Sequence, residues 1–193
     1  MNSNIPILRT ERLILRKFEM RDIQAFFEIM NDGDINVFLP WFTAKTLIEA
    51  EKQLIKQNNE NIFFYAICLK TDDFPIGYIN LSNNDSHDLG YGLRKELWNQ
   101  GIVTEACFAV VELIKNMDIK FITATHDIKN PASGGVMKKI GMKYCYSYEE
   151  LWQPKNFLVT FRLYQLNFDG HDKRIYREYW DKYPVHFIEK NII

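Results

Sequence analysis

The sequence predicts an α/β chain with a mixed sheet, and three observations carry that prediction. Stretches with the two-residue period of a strand and stretches with the period of a helix are both present. They do not alternate strictly, which disfavours a doubly wound parallel sheet. Their order reads β-α-α-β-β-β-α-β-α-β-β plus a tail, with turn-rich junctions and no internal repeat or low-complexity linker.

RLILRKF alternates charged and aliphatic residues, the pattern of a half-buried strand. Asp22 is placed to cap IQAFFEIM, a short helix. FLPWF is an aromatic loop broken by Pro40. In TAKTLIEAEKQLIKQNN, Leu47, Ile48, Glu51, Leu54 and Ile55 form one helical stripe, expected to face the core. NIFFYAICLK and PIGYINLS are strands joined by TDDF. DLGYGL is a third strand, with two glycines that permit close backbone approach. In GIVTEACFAVVELIKNM the inward face is expected at Val103, Ala106, Val110, Leu113 and Met117. KFITAT is a strand, and NPASGGVMKKIGM is a short helix with Pro131 in its first turn and Gly141 at its end. YCYSYEELW and NFLVTFRLYQLNF form an aromatic hairpin linked at Gln153-Pro154. KRIYREYWDKY reads as a final helix stopped at Pro184.

At 193 residues, 47% hydrophobic and 25% charged, the chain is expected to form one domain with a real core. The net charge is -1 with acids and bases interspersed, so no nucleic-acid footprint is visible. Cys68, Cys107 and Cys145 have no CxxC spacing and sit among apolar residues, the pattern of buried free thiols in a reducing compartment. IFFYAICL is too short to span a bilayer, and MNSNIPILRTER lacks an apolar signal segment, so a cytoplasmic protein without membrane contact is expected.

The junction LWNQGIVTEA reads as a strand, a polar loop and a helix start. Such a start presents unpaired N–H groups and the positive end of the helix dipole, and Gly101 lets an anion come close. No P-loop lysine and no GxGxxG fingerprint accompany it. The ordered series DLGYGL, LWNQG, IVTEACFAVVELI, ITAT and NPASGGVMKKIGM resembles the acetyl-CoA-binding core of the GNAT N-acetyltransferase superfamily. TERLILRKFEMRDIQAFFEIMND resembles the start of the branch that includes ribosomal-protein N-terminal acetyltransferases. The resemblance covers about residues 7–168 and leaves 169–193 as an aromatic tail, packed on its own domain or on a second subunit of a homodimer.

The resemblance implies a mostly antiparallel twisted sheet flanked by helices. It implies transfer of acetyl from acetyl-CoA to a primary amine, at a protein N-terminus or on a small molecule, without a metal. It also implies cofactor contacts at Trp98, Asn99, Gln100, Gly101, Ile102, Val103 and Thr104, with Asn130 on the pantetheine arm. Val103 departs from the family's small residue and is expected to crowd the pyrophosphate. A backbone N–H near Leu93 is the oxyanion donor. The tyrosine that many relatives carry seven residues after the asparagine is Met137 here, so Ser133 stands as the acid for the thiolate, or as a helix cap. For the base, the usual spacing lands on His87, with Asp88 next to it and His126 as a further candidate. Glu105 suits the helix dipole and reads as structural. Trp41, Phe42 and Trp152 are candidate walls of the acceptor site. Met137 and Val103 also motivate an alternative, a non-catalytic acyl-CoA-binding module on the same fold.

Overall fold

The architecture is two antiparallel sheets that meet at one bridge. The computed structural model describes residues 5–190 and 192; residues 1–4, 191 and 193, at the outer ends of the expected domain and tail, lie outside the described residues. The first sheet runs β1 (Leu8–Arg9), β2 (Leu13–Lys17), β3 (Asn61–Leu69), β4 (Pro75–Ser82) and β5 (Leu89–Leu93), neighbours in that order. The second holds β6 (Phe121–Asp127), β7 (Lys143–Trp152), β8 (Phe157–Asn167) and β9 (His186–Phe187), ordered β6-β8-β7-β9. Asp88 and Thr123 form a parallel bridge that joins β5 to β6. The helices are α1 (Ile23–Asn31), α2 (Gly33–Asn36), α3 (Leu47–Glu60), α4 (Ile102–Ile114), α5 (Pro131–Lys139) and α6 (Glu178–Lys182). Among the described residues no helix is long and apolar enough to cross a membrane.

β3 is the central strand of the first sheet, buried on both faces, and its alternation assigns the layers. Phe63, Tyr65 and Ile67 join the cluster packed under α4, with Ala106, Val110 and Ile114. Phe64, Ala66 and Cys68 join the cluster under α1 and α3, with Phe26, Ile29 and Leu54. A third cluster, on the face of β7 and β8, gathers Tyr146, Tyr148, Val159, Phe161 and Leu163, and the tail residues Tyr176, Tyr179, Trp180 and Tyr183 pack on it. The tail therefore packs on its own chain.

Several local expectations are corrected by the packing. In α3 the inward row is Ala50, Leu54 and Gln57, while Leu47, Ile48 and Ile55 are exposed. Ala50 is fully buried, and its small side chain lets the helix lie close to the layer beneath it. In α4, Ala106 and Val110 are buried as expected, but Ile102, Cys107, Val111 and Ile114 complete the face; Val103, Leu113 and Met117 sit at its flank. The tail is helical only over five residues. Ahead of it, Gln165 accepts from Tyr176 N–H at 2.7 Å and donates to Arg174 O at 2.9 Å. Those side-chain bonds hold the preceding backbone in place of a helical ladder. Cys68 and Cys107 are buried and Cys145 is half-buried, all free.

Asp22 also departs from its expected part. Its side chain makes no cap bond to α1. It accepts from Glu19 N–H at 2.7 Å and from both terminal nitrogens of Arg16, at 2.7 and 3.0 Å. Arg16 is itself buried on β2, and its Nε reaches Asp73 at 2.8 Å. Burial pushes the Asp22 carboxyl up, but the guanidinium and the Glu19 N–H outweigh that and hold it below the usual range. Asp22→Ala is expected to cost about 3 kcal/mol at pH 7, because it strips a buried guanidinium of one of its partners. The carboxyl's folded-state affinity for a proton is lowered, so its contribution is present above about pH 4 and lost as pH falls further. Urea titrations at pH 7 and pH 3 check both points: the parent should lose more stability on acidification than the variant.

Candidate active site

The site begins where β5 and β6 stop pairing. Arg94 N–H donates to Ile76 O and Ser82 N–H to Asp88 O, each at 2.9 Å. The β4–β5 register pairs Leu93 with Gly77, Tyr91 with Ile79 and Leu89 with Leu81. Alternation in an antiparallel ladder then turns the N–H and C=O groups of Leu89, Tyr91 and Leu93 away from β4, toward β6. Thr123 N–H donates to His87 O beside the bridge. Past it, among the described residues, β5 and β6 are not paired, so the amides of Tyr91 and Leu93 face an open gap. Gly90 and Gly92 point to the opposite side from the Tyr91 side chain. Side chains of β4 cover them: a Cβ at Gly92 would meet the Tyr78 ring at 2.5 Å, and one at Gly90 would meet Asn80 Oδ1 at 2.6 Å.

The loop after β5 delivers the chain to α4. Trp98 Nε1 donates to Leu93 O at 2.8 Å and ties the loop back to the strand. Asn99 (φ 60°) and Gly101 (φ 74°) both take left-handed conformations, and Gly101 is the N-cap of α4. The first turn of α4 has no side-chain cap, and Glu105 N–H is the donor that reaches Gly101 O. The N–H groups of Ile102, Val103 and Thr104 thus lack internal partners at the positive end of the helix. Val103 packs its side chain against the apolar cluster under α4, and Ile102 is buried in it.

A clamp from the β1–β2 turn holds this loop. Thr10 Oγ1 donates to Glu105 Oε1 at 2.5 Å and Arg12 N–H to the same oxygen at 2.9 Å. Arg12 Nε pairs with Glu105 Oε2 at 2.6 Å, while its Nη1 donates to Gln100 O at 3.0 Å. Burial raises the Glu105 carboxyl, and the bonds from Thr10 and Arg12 bring it below the usual range. Glu105 is a strut between the N-terminal hairpin and the loop.

On the α4–α5 side of the gap, Asn130 caps α5 by accepting from Ser133 N–H at 3.3 Å. The cap is therefore Asn130, and the Ser133 hydroxyl is turned to Tyr91. Tyr91 Oη lies 2.9 Å from Ser133 O and 3.0 Å from Ser133 Oγ. Met137 is buried in the apolar cluster. His126 sits with its Nδ1 2.8 Å from Asp127 O and its Nε2 unpartnered, and a Cβ on Gly134 would fall 2.6 Å from that nitrogen. Burial lowers its pKa, which keeps the ring neutral near pH 7.

The other side of the gap carries different chemistry. Thr123 Oγ1 reaches Asp88 Oδ1 at 3.3 Å, and burial pushes the Asp88 carboxyl up to about 7, with Thr123 opposing it. Trp41 and Trp152 line the same cavity as Asp88, and Trp41 Nε1 is buried without a partner. Phe42 is 63% exposed and lies off that lining. His87 also lies off it, with its ring 6.0 Å from Phe121. One cavity of about 970 Å³ runs from Gly101 and Val103 past Ser133 and Asp88 to the tail residues Tyr179 and Tyr183. Among the described residues no cluster of His, Cys, Asp or Glu is arranged for a metal.

Tyr91 and the tail wall are the parts that pattern reading missed. GYG alternation in β5 did carry a signal for Tyr91, since a side chain between two glycines must point opposite to the faces they leave bare.

A model of the acetyltransferase (GNAT) domain matches residues 12–143. The chain is 30% identical over 142 residues to the uncharacterized N-acetyltransferase YnaD of Bacillus subtilis, covering 70% of this chain and 82% of that protein. Its fold is similar to that of a GNAT-family acetyltransferase from Bacillus anthracis, with a TM-score of 0.75 at 24% identity, over 84% of this chain and 98% of the other. It is also similar to the ribosomal L7/L12 α-N-protein acetyltransferase RimL, solved in complex with coenzyme A, with a TM-score of 0.73 at 16% identity, over 85% and 99% of the two chains.

Glu105→Gln is expected to weaken the clamp and free the loop. The KM for acetyl-CoA should rise about tenfold, equivalent to ~1.4 kcal/mol, with kcat changed by less than about threefold. Steady-state kinetics at saturating amine measure the split.

Proposed function

The chain belongs to the acetyltransferase (GNAT) family and is an acetyl-CoA-dependent N-acetyltransferase, and from that premise we propose which of its residues do the work. Acetyl-CoA brings the activated thioester. The observation that carries the reading is that the free N–H groups at the start of α4 and the unpaired edge of β5 line one cavity. The N–H groups of Ile102, Val103 and Thr104, with the loop from Trp98 to Gly101, hold the pyrophosphate at the helix end. The pantetheine arm carries amides of its own, and the outward-facing N–H and C=O groups of Tyr91 complement them, as Asn130 does at the start of α5. Leu93 N–H is aimed where negative charge develops on the acyl oxygen.

The incoming amine reaches neutral pH as an ammonium ion and must lose a proton before it attacks. Asp88 is the base we assign, directly or through water, because it lines the cavity on the side away from α5 and its affinity for protons matches the operating pH. His87 lies off the cavity, and His126 lies beside α5, where it faces the serine end of the site. Ser133 is the proton donor to the departing sulfur, and Tyr91, hydrogen-bonded to it, fixes the direction of its hydroxyl. Trp41 and Trp152 form walls on the acceptor side. The acceptor is a primary amine, at a protein N-terminus or on a small molecule.

Titration calorimetry with coenzyme A, together with release of free thiol from acetyl-CoA in the presence of amines, tests the assignment. Because Asp88 must be ionised to act, kcat/KM is expected to rise with pH through about 7 and then level. Asp88→Asn should lower it by about 10²-fold or more and remove that limb. Ser133→Ala should lower kcat by about tenfold or more while the KM for acetyl-CoA stays within about threefold. A parent profile flat from pH 6 to 8 would sink the role of Asp88.

A further inference from the structure

The acceptor end of the cavity is built largely by the tail and the hairpin it covers. In the second sheet Tyr148 pairs with Phe161 and Glu150 with Val159, while Phe161 pairs with Asp127 across β6. Paired residues share a face, so Tyr148, Glu150 and Trp152 stand on the same face as Thr123, whose hydroxyl meets Asp88. That face is the one the tail packs on. Tyr148 is 3% exposed and lies against Tyr183 (5.0 Å, 10° between planes) and Tyr179 (5.1 Å, 30°). It lines the cavity, and its hydroxyl makes no hydrogen bond among the described residues.

Five carboxylates line the cavity; Asp34 is paired with Lys95 and Asp127 accepts from Lys129 N–H, which leaves Asp88, Glu150 and Glu178 for this end. They come from the loop before β5, from β7 and from α6. None forms an ion pair among the described residues; Asp88 meets the Thr123 hydroxyl, and Glu178 accepts from the Tyr176 hydroxyl. The Tyr179 phenol is raised first by burial and then by the charge of Asp88, the Ser86 hydroxyl opposes this, and Glu178 and Glu150 add smaller upward pushes. The basic side chain from the tail is Lys182, and its ammonium lies 5.2 Å from the centre of the Tyr183 ring, so the rim of this wall already seats a cation on a tyrosine face.

The chemistry of the reaction narrows what these groups recognise. The attacking nitrogen must be neutral, and one carboxylate, Asp88, suffices to take its proton. Glu150 and Glu178 then face a charge that is not consumed. Tyrosine rings suit a cation joined to methylene groups, through their negative faces and their apolar bodies. We infer that the acceptor is a small amine bearing a second positive charge, a diamine or polyamine, and that Glu150 together with residues 176–183 recognises that second charge. The inference rests on the transfer reaction proposed above.

The test uses the full chain, acetyl-CoA and thiol release, with 1,4-diaminobutane and spermidine against 1-aminobutane. The diamine should be preferred by about tenfold or more in kcat/KM, chiefly through KM, and that preference should shrink as ionic strength rises. In the doubly substituted Glu150→Gln, Glu178→Gln protein the preference should fall below about threefold, with the thermal midpoint followed to confirm folding. Equal use of diamine and monoamine by the parent overturns the inference while leaving the transferase reading intact. So does a preference unaltered by both salt and the double substitution, or a stronger preference for a peptide with a free N-terminus. Coenzyme A binding without turnover of any amine overturns the transfer reading itself, and this inference with it.

Discussion

The site depends on one constraint, the failure of β5 and β6 to pair beyond Asp88 and Thr123. A strand edge inside a fold is costly, because each N–H and C=O left without a partner must find one or meet solvent. Here the cost falls on Tyr91 and on the Leu93 N–H, in the strand that also carries Gly90 and Gly92, while Trp98 Nε1 satisfies the Leu93 carbonyl. The sheets are each well paired on their own, so the opening is local. A ligand with an amide-bearing arm restores the missing bonds. The same opening forces the loop after β5 to turn sharply, and Asn99 and Gly101 absorb that turn in left-handed conformations.

The opening also divides the chemistry between two faces. α4 and α5 cover one face, with a helix start free of side-chain caps and the Tyr91–Ser133 contact. The tail, the β7–β8 hairpin and the FLPWF loop enclose the other, with Asp88 at its base. Asp88 and the Tyr91–Ser133 pair thereby lie on opposite sides of the opening. Asp88 keeps a high affinity for protons because burial outweighs the opposing Thr123 hydroxyl, and among the described residues it has no ion-pair partner. Glu105 shows the opposite case: Thr10 and Arg12 hold it ionised, and it works as a strut. Two carboxyls of similar intrinsic acidity thus take different tasks from their surroundings.

Much of the fold was legible because its signals are local. The period of RLILRKF, the turn in TDDF, the glycines of DLGYGL and the Asn-Pro start of α5 each constrain the backbone within a few residues. Rotation of the helices was less legible. Of the expected α3 stripe of Leu47, Ile48, Glu51, Leu54 and Ile55 only Leu54 is buried, and Ala50 turns inward with it, since fit against the neighbouring layer outweighs hydrophobicity at single positions. Within the site, the anion-binding loop was visible because it is contiguous. The usual spacing lands on His87, one residue before Asp88, and it is the direction of each side chain that separates them: one toward Phe121, the other into the cavity.

By itself the sequence determined the order of elements, the mixed sheet, the helix start at Gly101 and the family resemblance, because each of these rests on neighbours in the chain or on ordered short motifs. The tertiary structure alone decided which polar groups meet. Thr10 and Arg12 reach Glu105 across more than ninety positions. Tyr91 reaches Ser133 across 42 positions, and the carboxylates of the acceptor end come from three distant segments. No periodicity encodes such meetings; they follow from the register of the strands and the path of the tail, and those are set by the packing of the whole chain.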